Sequence, residues 1–290
     1  MRLTDHRHNL HSQNGEDGVL AKLFEVVGVT TGYFAECGAW DGRHLSNTFA
    51  LAEQGWRGCL IEGDPKRFER MSSVVGPGSV KVCRFVTPEG PDSLDSILAE
   101  VGAPARFELL SIDIDSNDLA IWRSLQRFRP RCVVIEYNPT IPFDCRFENP
   151  PGRQWGNSAL SIATFAETAG YTLVCVTESN LLFYDSRSEG AALVEEVALS
   201  EDERGPRFFW GYDGTLLRLD PGKDGTDDCA PELFDVPWTK FRAFQPIPKP
   251  LRGYGDQRSV KGVARRVLSL AIAACLRPAS SLRAGKMPSR

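Results

Sequence analysis

The chain of 290 residues has no G-x-x-x-x-G-K-[ST] loop and no G-x-G-x-x-G turn. The first absence excludes a P-loop nucleotide site. The second removes the glycine spacing that seats a dinucleotide pyrophosphate on a helix N-terminus, which disfavours a nicotinamide-dependent oxidoreductase. Its eight cysteines, at 37, 59, 83, 132, 145, 175, 229 and 275, form no C-x-x-C pair and no finger-like ligand set. Several fall inside predicted strands, where a thiol acts as a small hydrophobe, so a reducing cytoplasmic setting is expected and a disulfide framework is not. No apolar h-region follows the histidines at 6, 8 and 11, so no secretory signal is expected. The net charge of −4 conceals a basic tail, since Arg258, Lys261, Arg265, Arg266, Arg277, Arg283, Lys286 and Arg290 follow Asp256 with no acid among them. The rest of the chain is therefore more acidic than the total shows, and nonspecific nucleic-acid binding, which needs a basic face, is not expected.

What is present is a repeated alternation of strand and helix patterns within an apolar content of 42%, ordinary for a globular protein. Residues 33 to 36 read as a strand, Cys37 to Gly42 as a tight turn and residues 58 to 62 as a second strand. Further strands are expected at 80 to 86, 107 to 113, 132 to 136 and 171 to 177. Cys132-Val133-Val134-Ile135 is apolar throughout, as a strand covered on both faces must be. Asn14 is placed to cap a helix bearing Val19, Leu20, Leu23, Phe24 and Val27, closed by Gly28 and expected to lid the cofactor site. Asp92 is placed to cap a helix bearing Leu94, Ile97, Leu98 and Val101, and a further helix runs from Ser158 to Ala169. Such alternation predicts a parallel sheet. The strand at Leu181 to Tyr184 follows its predecessor too closely for a parallel crossover, so it is expected to run antiparallel. A hairpin is expected at Phe208 to Tyr212 and Thr215 to Leu219, turned by Asp213-Gly214.

The first turn carries the strongest chemical signal. Gly38 admits close backbone approach, and Glu62, twenty residues past Gly42, is placed to accept hydrogen bonds from two ribose hydroxyls. The E-x-G-x-x-x-G spacing suits the tail of S-adenosylmethionine better than a diphosphate.

Ser12-Gln13-Asn14-Gly15-Glu16-Asp17, Glu36 to Gly42, Ser46-Asn47-Thr48, Leu60-Ile61-Glu62, Ser111 to Asp118, Val134 to Asn138 and Tyr212 to Thr215 together resemble the FkbM-type S-adenosylmethionine-dependent methyltransferases over roughly residues 10 to 255. Similar sequences often carry glycine where Ser116 stands. The resemblance implies a Rossmann-like class I methyltransferase fold: an α/β, mostly parallel seven-stranded sheet with an antiparallel last strand, plus a small C-terminal elaboration. It also implies O-methyl transfer onto sugar or polyketide hydroxyls. The expected cofactor contacts are Glu36, Gly38, Ala39, Gly42, Asn47, Glu62 and Asp113. The rival readings are a degenerate fold serving as an interaction module in surface-glycan assembly and, further off, the oxidoreductase.

Methyl transfer from a sulfonium is an in-line displacement, so the protein aligns the reactants and manages the departing proton. Candidate catalytic groups are Asp113, Asp115, Glu136 and His44. If a hard divalent cation takes part, its ligands are Asp113, Asp115, Glu136 and Asn138. In the metal-free alternative, which we take as the expectation, Asp113 faces the cofactor, Asp115 and Asn117 cap the next helix, and Glu136 is a base or substrate ligand. His44 can titrate usefully or stand by as an exposed loop residue. Trp40, Trp56 and Trp122 are expected to pack the core, with Trp40 alone placed to cover a cofactor or sugar ring.

The predicted division is an N-terminal segment and lid helix (1 to 32), the methyltransferase core (33 to 185), an elaboration (186 to 256) and the tail (257 to 290). Within the tail, residues 260 to 276 form a basic amphipathic pattern able to lie on an anionic membrane but too short and charged to span it. A small-molecule or glycan acceptor is the expected partner, with peripheral membrane contact through the tail as a further expectation.

Overall fold

A computed structural model describes residues 2–74, 78–139, 141, 143 and 146–200, together with the backbone of 207–210, 216–219 and 232–234. Seven strands, β1 (Tyr33–Cys37), β2 (Arg57–Glu62), β3 (Ser79–Cys83), β4 (Arg106–Ile112), β5 (Arg129–Glu136), β6 (Tyr171–Val176) and β7 (Asn180–Asp185), form one sheet in the order β3-β2-β1-β4-β5-β7-β6. The first five are mutually parallel, and β7 runs antiparallel to both neighbours. The short link between β6 and β7 forces that reversal. Insertion of β7 between β5 and β6 then buries all six of its residues.

Alternate residues of each strand feed two separate cores. On one face, Cys37, Ile61, Ile112, Val133 and Phe183 meet α4 (Leu94–Glu100), α5 (Asp118–Ser124) and α6 (Ala159–Thr168). On the other, Phe34, Leu60, Leu109, Val134 and Leu182 meet α1 (Glu16–Val26), α2 (Phe49–Glu53) and α3 (Pro65–Val74). The result is a three-layer Rossmann-like α/β fold whose strand carboxyl ends share one edge. Trp56 and Trp122 are core residues, as expected.

Three local expectations need correction. The N-cap of α1 is Gly15, at φ 90°, and the Asn14 amide instead donates to Ser179 Oγ at 2.8 Å. The apolar stripe of α1 packs into the core rather than over the carboxyl-end edge of the sheet; only its first residue, Glu16, reaches that edge, where it accepts from Thr177 Oγ1 and Asn180 Nδ2. The cap of α4 is Ser93, not Asp92, its hydroxyl accepting from Ser96 N. The helix expected from Ser158 to Ala169 is α6, and Ser158 is its N-cap, its hydroxyl accepting from Ser161 N.

The chain divides into Met1–Gly205 and Pro206–Arg290. Residues 186–200 therefore stay with the sheet, and Val197 N donates to Leu173 O at 2.9 Å. The second unit holds an antiparallel sheet of β8 (Arg207–Trp210), β9 (Leu216–Leu219) and β10 (Glu232–Phe234), with β8 and β9 forming the anticipated hairpin. Its Asp213-Gly214 turn and the tail at 257–290 lie outside the described residues. Among the described residues, no helix is long and apolar enough to cross a membrane.

Candidate functional site

The turn after β1 is built by hydrogen bonds to β2. Gly38 N and Ala39 N both donate to Ile61 O, Trp40 N donates to Glu62 Oε2 at 2.8 Å, and Gly42 N closes the turn on Ala39 O. Gly38 sits at φ 82°, and a Cβ there would stand 1.7 Å from Asp113 O. The missing side chain thus admits the backbone of the β4 end, a role distinct from the ligand approach expected of it. Asp113 N completes the junction by donating to Cys37 O.

Glu62 is buried and fixed from both sides, Oε2 by Trp40 N and Oε1 by Asp64 N at 2.7 Å. Each oxygen keeps a second lone pair. Trp40 is half-buried at φ 50° with the Arg67 guanidinium stacked 3.6 Å from its ring centroid. Leu45 and Asp115 are the other non-glycine residues at positive φ among the described residues. A left-handed tryptophan or leucine is strained, and such strain gathers where a loop is shaped for use; here all three lie in loops leaving β1 and β4.

Glu36 does not present a free carboxylate. It accepts from Ser46 Oγ at 2.8 Å, Asn47 N at 3.0 Å and Thr48 Oγ1 at 2.7 Å, and burial raises its pKa above the ordinary carboxylate range. Its part is to clamp the 46–48 segment behind the turn. Asn47 likewise turns inward, its amide donating to Ser111 Oγ.

The structure brings Asp113, Asp115 and Glu136 together, with one oxygen of each lying within 4.8 Å of the others. Burial, reinforced by Asp118, Asp115 and Glu36, pushes Asp113 up to about 8. Burial, with Asp113, Asp118 and Asp115 close by, also raises Glu136 well above the ordinary carboxylate range, so the two neighbouring carboxyls titrate as a pair. Asn138 is not aligned with this cluster through its amide nitrogen, which donates to Trp155 O at 2.7 Å. His44 is exposed, its ring 5.7 Å from Trp40 and its backbone N bonded to Asp41.

Asp118 is the residue that sequence reasoning quoted without giving it a role. Its carboxylate accepts from Ile114 N at 2.8 Å and Ser116 N at 3.0 Å and so shapes the loop that carries Asp115; burial raises its pKa to about 6. Asp115, rather than Ser116, takes the left-handed conformation. Asn117 makes no side-chain cap; its Oδ1 accepts from Asn149 Nδ2. The loop before α6 thereby binds both acidic strand ends, since Asn157 Nδ2 donates to Ser116 O and Asn138 N to Asn157 O.

No family model matches the chain, and no curated protein matches it. Solved structures similar to it include a TehB-like SAM-dependent methyltransferase from Corynebacterium glutamicum, at 16% identity and TM-score 0.38, covering 57% of this chain and 86% of that one. A SAM-dependent methyltransferase from Aquifex aeolicus is 11% identical with TM-score 0.35, covering 57% and 87%. A precorrin-6y C5,15-methyltransferase from Geobacter metallireducens is 14% identical with TM-score 0.38, covering 62% and 93%. The fold stands on the strand order itself.

Cavities of 410, 400 and 220 Å³ lie elsewhere, against α6, along the β6 edge and beside α2.

Proposed function

We propose that this protein is an S-adenosylmethionine-dependent O-methyltransferase of the FkbM type, acting on a hydroxyl of a sugar, glycan or related natural-product acceptor. The observation that carries the reading is the meeting, on one edge of the sheet, of a strained glycine turn, a doubly held Glu62 and the Asp113–Glu136 pair. The donor set fits the cofactor: Glu62 retains lone pairs for two ribose hydroxyls, and the carboxylates at the ends of β4 and β5 favour a cationic sulfonium over a diphosphate. When bound, the cofactor supplies a methyl group on a sulfonium, open to in-line displacement.

The chain's residues do the rest. Glu62 orients the ribose, and Gly38 to Gly42 shape the bed beneath it. Asp113, in its deprotonated form, takes the acceptor's proton, with Glu136 beside it as the second member of the pair. Asn180, opposite Glu136 in the β5–β7 register, has a buried side-chain Oδ1 with no hydrogen-bond donor among the described residues, a feature that suits a polar ligand. Asp113, Asp115 and Glu136 could also hold a divalent cation, which would bind them deprotonated. The metal-free arrangement is the one we carry forward, and chelation decides between the two.

Calorimetry with S-adenosylmethionine, S-adenosylhomocysteine and NAD tests the reading. The first two should bind and NAD should not; NAD preference would point to an oxidoreductase, and no nucleoside binding to an interaction module. In the same assay Glu62→Ala should weaken cofactor binding by about 1.5–3 kcal/mol, the scale of hydrogen bonds to a charged group. Unchanged affinity in a folded variant removes Glu62 from the site. Labelled methyl donor with a panel of hydroxyl acceptors then identifies the substrate.

A further inference from the structure

The opposite edge of the sheet, at the amino ends of the parallel strands, carries concentrated positive charge. Arg106 opens β4, Arg129 is its register partner at the start of β5, and Arg187 lies in the turn after β7. All three converge on Asp185, the last residue of β7, whose side chain is 1% exposed. Among the described residues no other carboxylate lies within ion-pair distance of these guanidiniums. Three positive charges therefore face one negative charge in a chain whose net charge is −4.

The three arginines are not equivalent. Arg129 grips Asp185 with two bonds, Nε to Oδ2 at 3.0 Å and Nη2 to Oδ1 at 2.6 Å, donates to Ala169 O, and lies over the Tyr171 ring at 4.4 Å. That is a structural ion pair tying β5, β6 and β7 together. Asp185 also accepts from Ser188 Oγ and Arg187 N, which uses its remaining lone pairs. Arg106 and Arg187 consequently reach Asp185 only at 3.5 Å each, while their side chains are 60% and 63% exposed. Their further contacts are long: Arg106 to Ser188 Oγ at 3.3 Å and Arg187 to Ala169 O at 3.5 Å. Most of the ten N–H donors on these two groups have no close acceptor.

We infer that Arg106 and Arg187 form a binding site for a phosphoryl group, held between two guanidinium forks outside the Arg129–Asp185 pair. The excess of two positive charges matches a dianion, whereas a single carboxylate would leave one charge unbalanced. Guanidinium forks match phosphate oxygens two bonds at a time, which a lysine cluster would not. The site lies at the end of the sheet away from Glu62 and Asp113, so its occupant is a phosphate ester distinct from the methyl donor. Its phosphoryl group belongs either to a soluble phosphorylated molecule or to an anionic lipid headgroup.

The test titrates inorganic pyrophosphate into the full chain by calorimetry at ionic strength held constant with NaCl, and sediments the chain with phosphatidylglycerol or phosphatidylcholine vesicles. Arg106→Gln/Arg187→Gln keeps side-chain length and leaves Arg129 on Asp185; Arg187→Gln alone, in an exposed turn, serves if the double variant fails to fold. We expect saturable binding weakened about threefold to tenfold in R187Q and more than tenfold in the double variant. Pyrophosphate binding assigns a soluble ester; phosphatidylglycerol sedimentation lost in the variants, without pyrophosphate heat, assigns the lipid. Absence of both, heat matched by NaCl alone, or affinities unchanged in R187Q and the double variant would overturn the site.

Discussion

Asp113→Asn is expected to lower turnover by about 10²–10⁴-fold, the range for loss of a positioned general base, while S-adenosylhomocysteine still binds. The expectation follows from the place of Asp113 at the end of β4, beside Asp115 and Glu136. Raised to about 8, Asp113 is mostly protonated at neutral pH. A base works in its deprotonated form, so kcat/KM of the wild type should climb from pH 6 to about 8 and level off above. Glu136→Gln keeps a neutral donor beside Asp113 and should retain activity to within about tenfold with the same rising limb. If Gln at 136 abolishes turnover while Asn at 113 spares it, the base is Glu136. Excess chelator should leave the wild-type rate unchanged; loss of activity restored by Mg²⁺ or Mn²⁺ would instead place a cation among Asp113, Asp115 and Glu136.

The alternation of strand and helix was legible because each element satisfies its own period: Cys132 to Ile135 is apolar on both faces, and Leu94, Ile97 and Leu98 recur at helical spacing. The reversal of β7 was legible because a three-residue link can do nothing else. Its insertion between β5 and β6 was not, since strand order depends on which edges meet across the whole chain. The missed caps have the same origin. Asn14 and Asp92 are sound capping residues by type, yet Asn14 is drawn to Ser179, far along the sequence, and Ser93 sits one position better than Asp92. Within the site, sequence placed Glu36, Glu62, Asp113 and Glu136 at strand ends correctly. It could not separate a carboxylate that faces a ligand from one that clamps a loop, because that distinction depends on where Ser46 and Thr48 fold back. Asp118 was visible as an acid four residues after Ile114, but its role appears only once the loop amides point at it. The arginines around Asp185 gave no signal, being scattered from 106 to 187 and brought together only by the sheet.

Gly38→Ala should be the most damaging small substitution in the sheet, and it can be measured against an internal control. Gly55 has φ 88° and open space around its missing Cβ, so Gly55→Ala carries only the cost of a left-handed alanine, about 1 kcal/mol or somewhat more. Gly38, at φ 82°, carries that cost and a Cβ placed 1.7 Å from Asp113 O. That oxygen belongs to backbone held by Asp113 N to Cys37 O, so it cannot rotate away as a side chain would. Relief requires β1 and β4 to part at their carboxyl ends, adding about 1–3 kcal/mol of overpacking strain. A total of about 2–5 kcal/mol is a large share of a typical domain stability of about 5–15 kcal/mol. For a unit of this size it corresponds to a fall in Tm of roughly 5–20 °C, against a few degrees for Gly55→Ala. Movement of the β4 end also shifts Asp113 relative to Glu62, so any folded G38A protein should lose turnover at temperatures well below its Tm. Thermal unfolding and methyl transfer measured on both variants decide the matter: equal Tm losses would show that the turn's conformation, and not the contact with Asp113, is what requires glycine at 38.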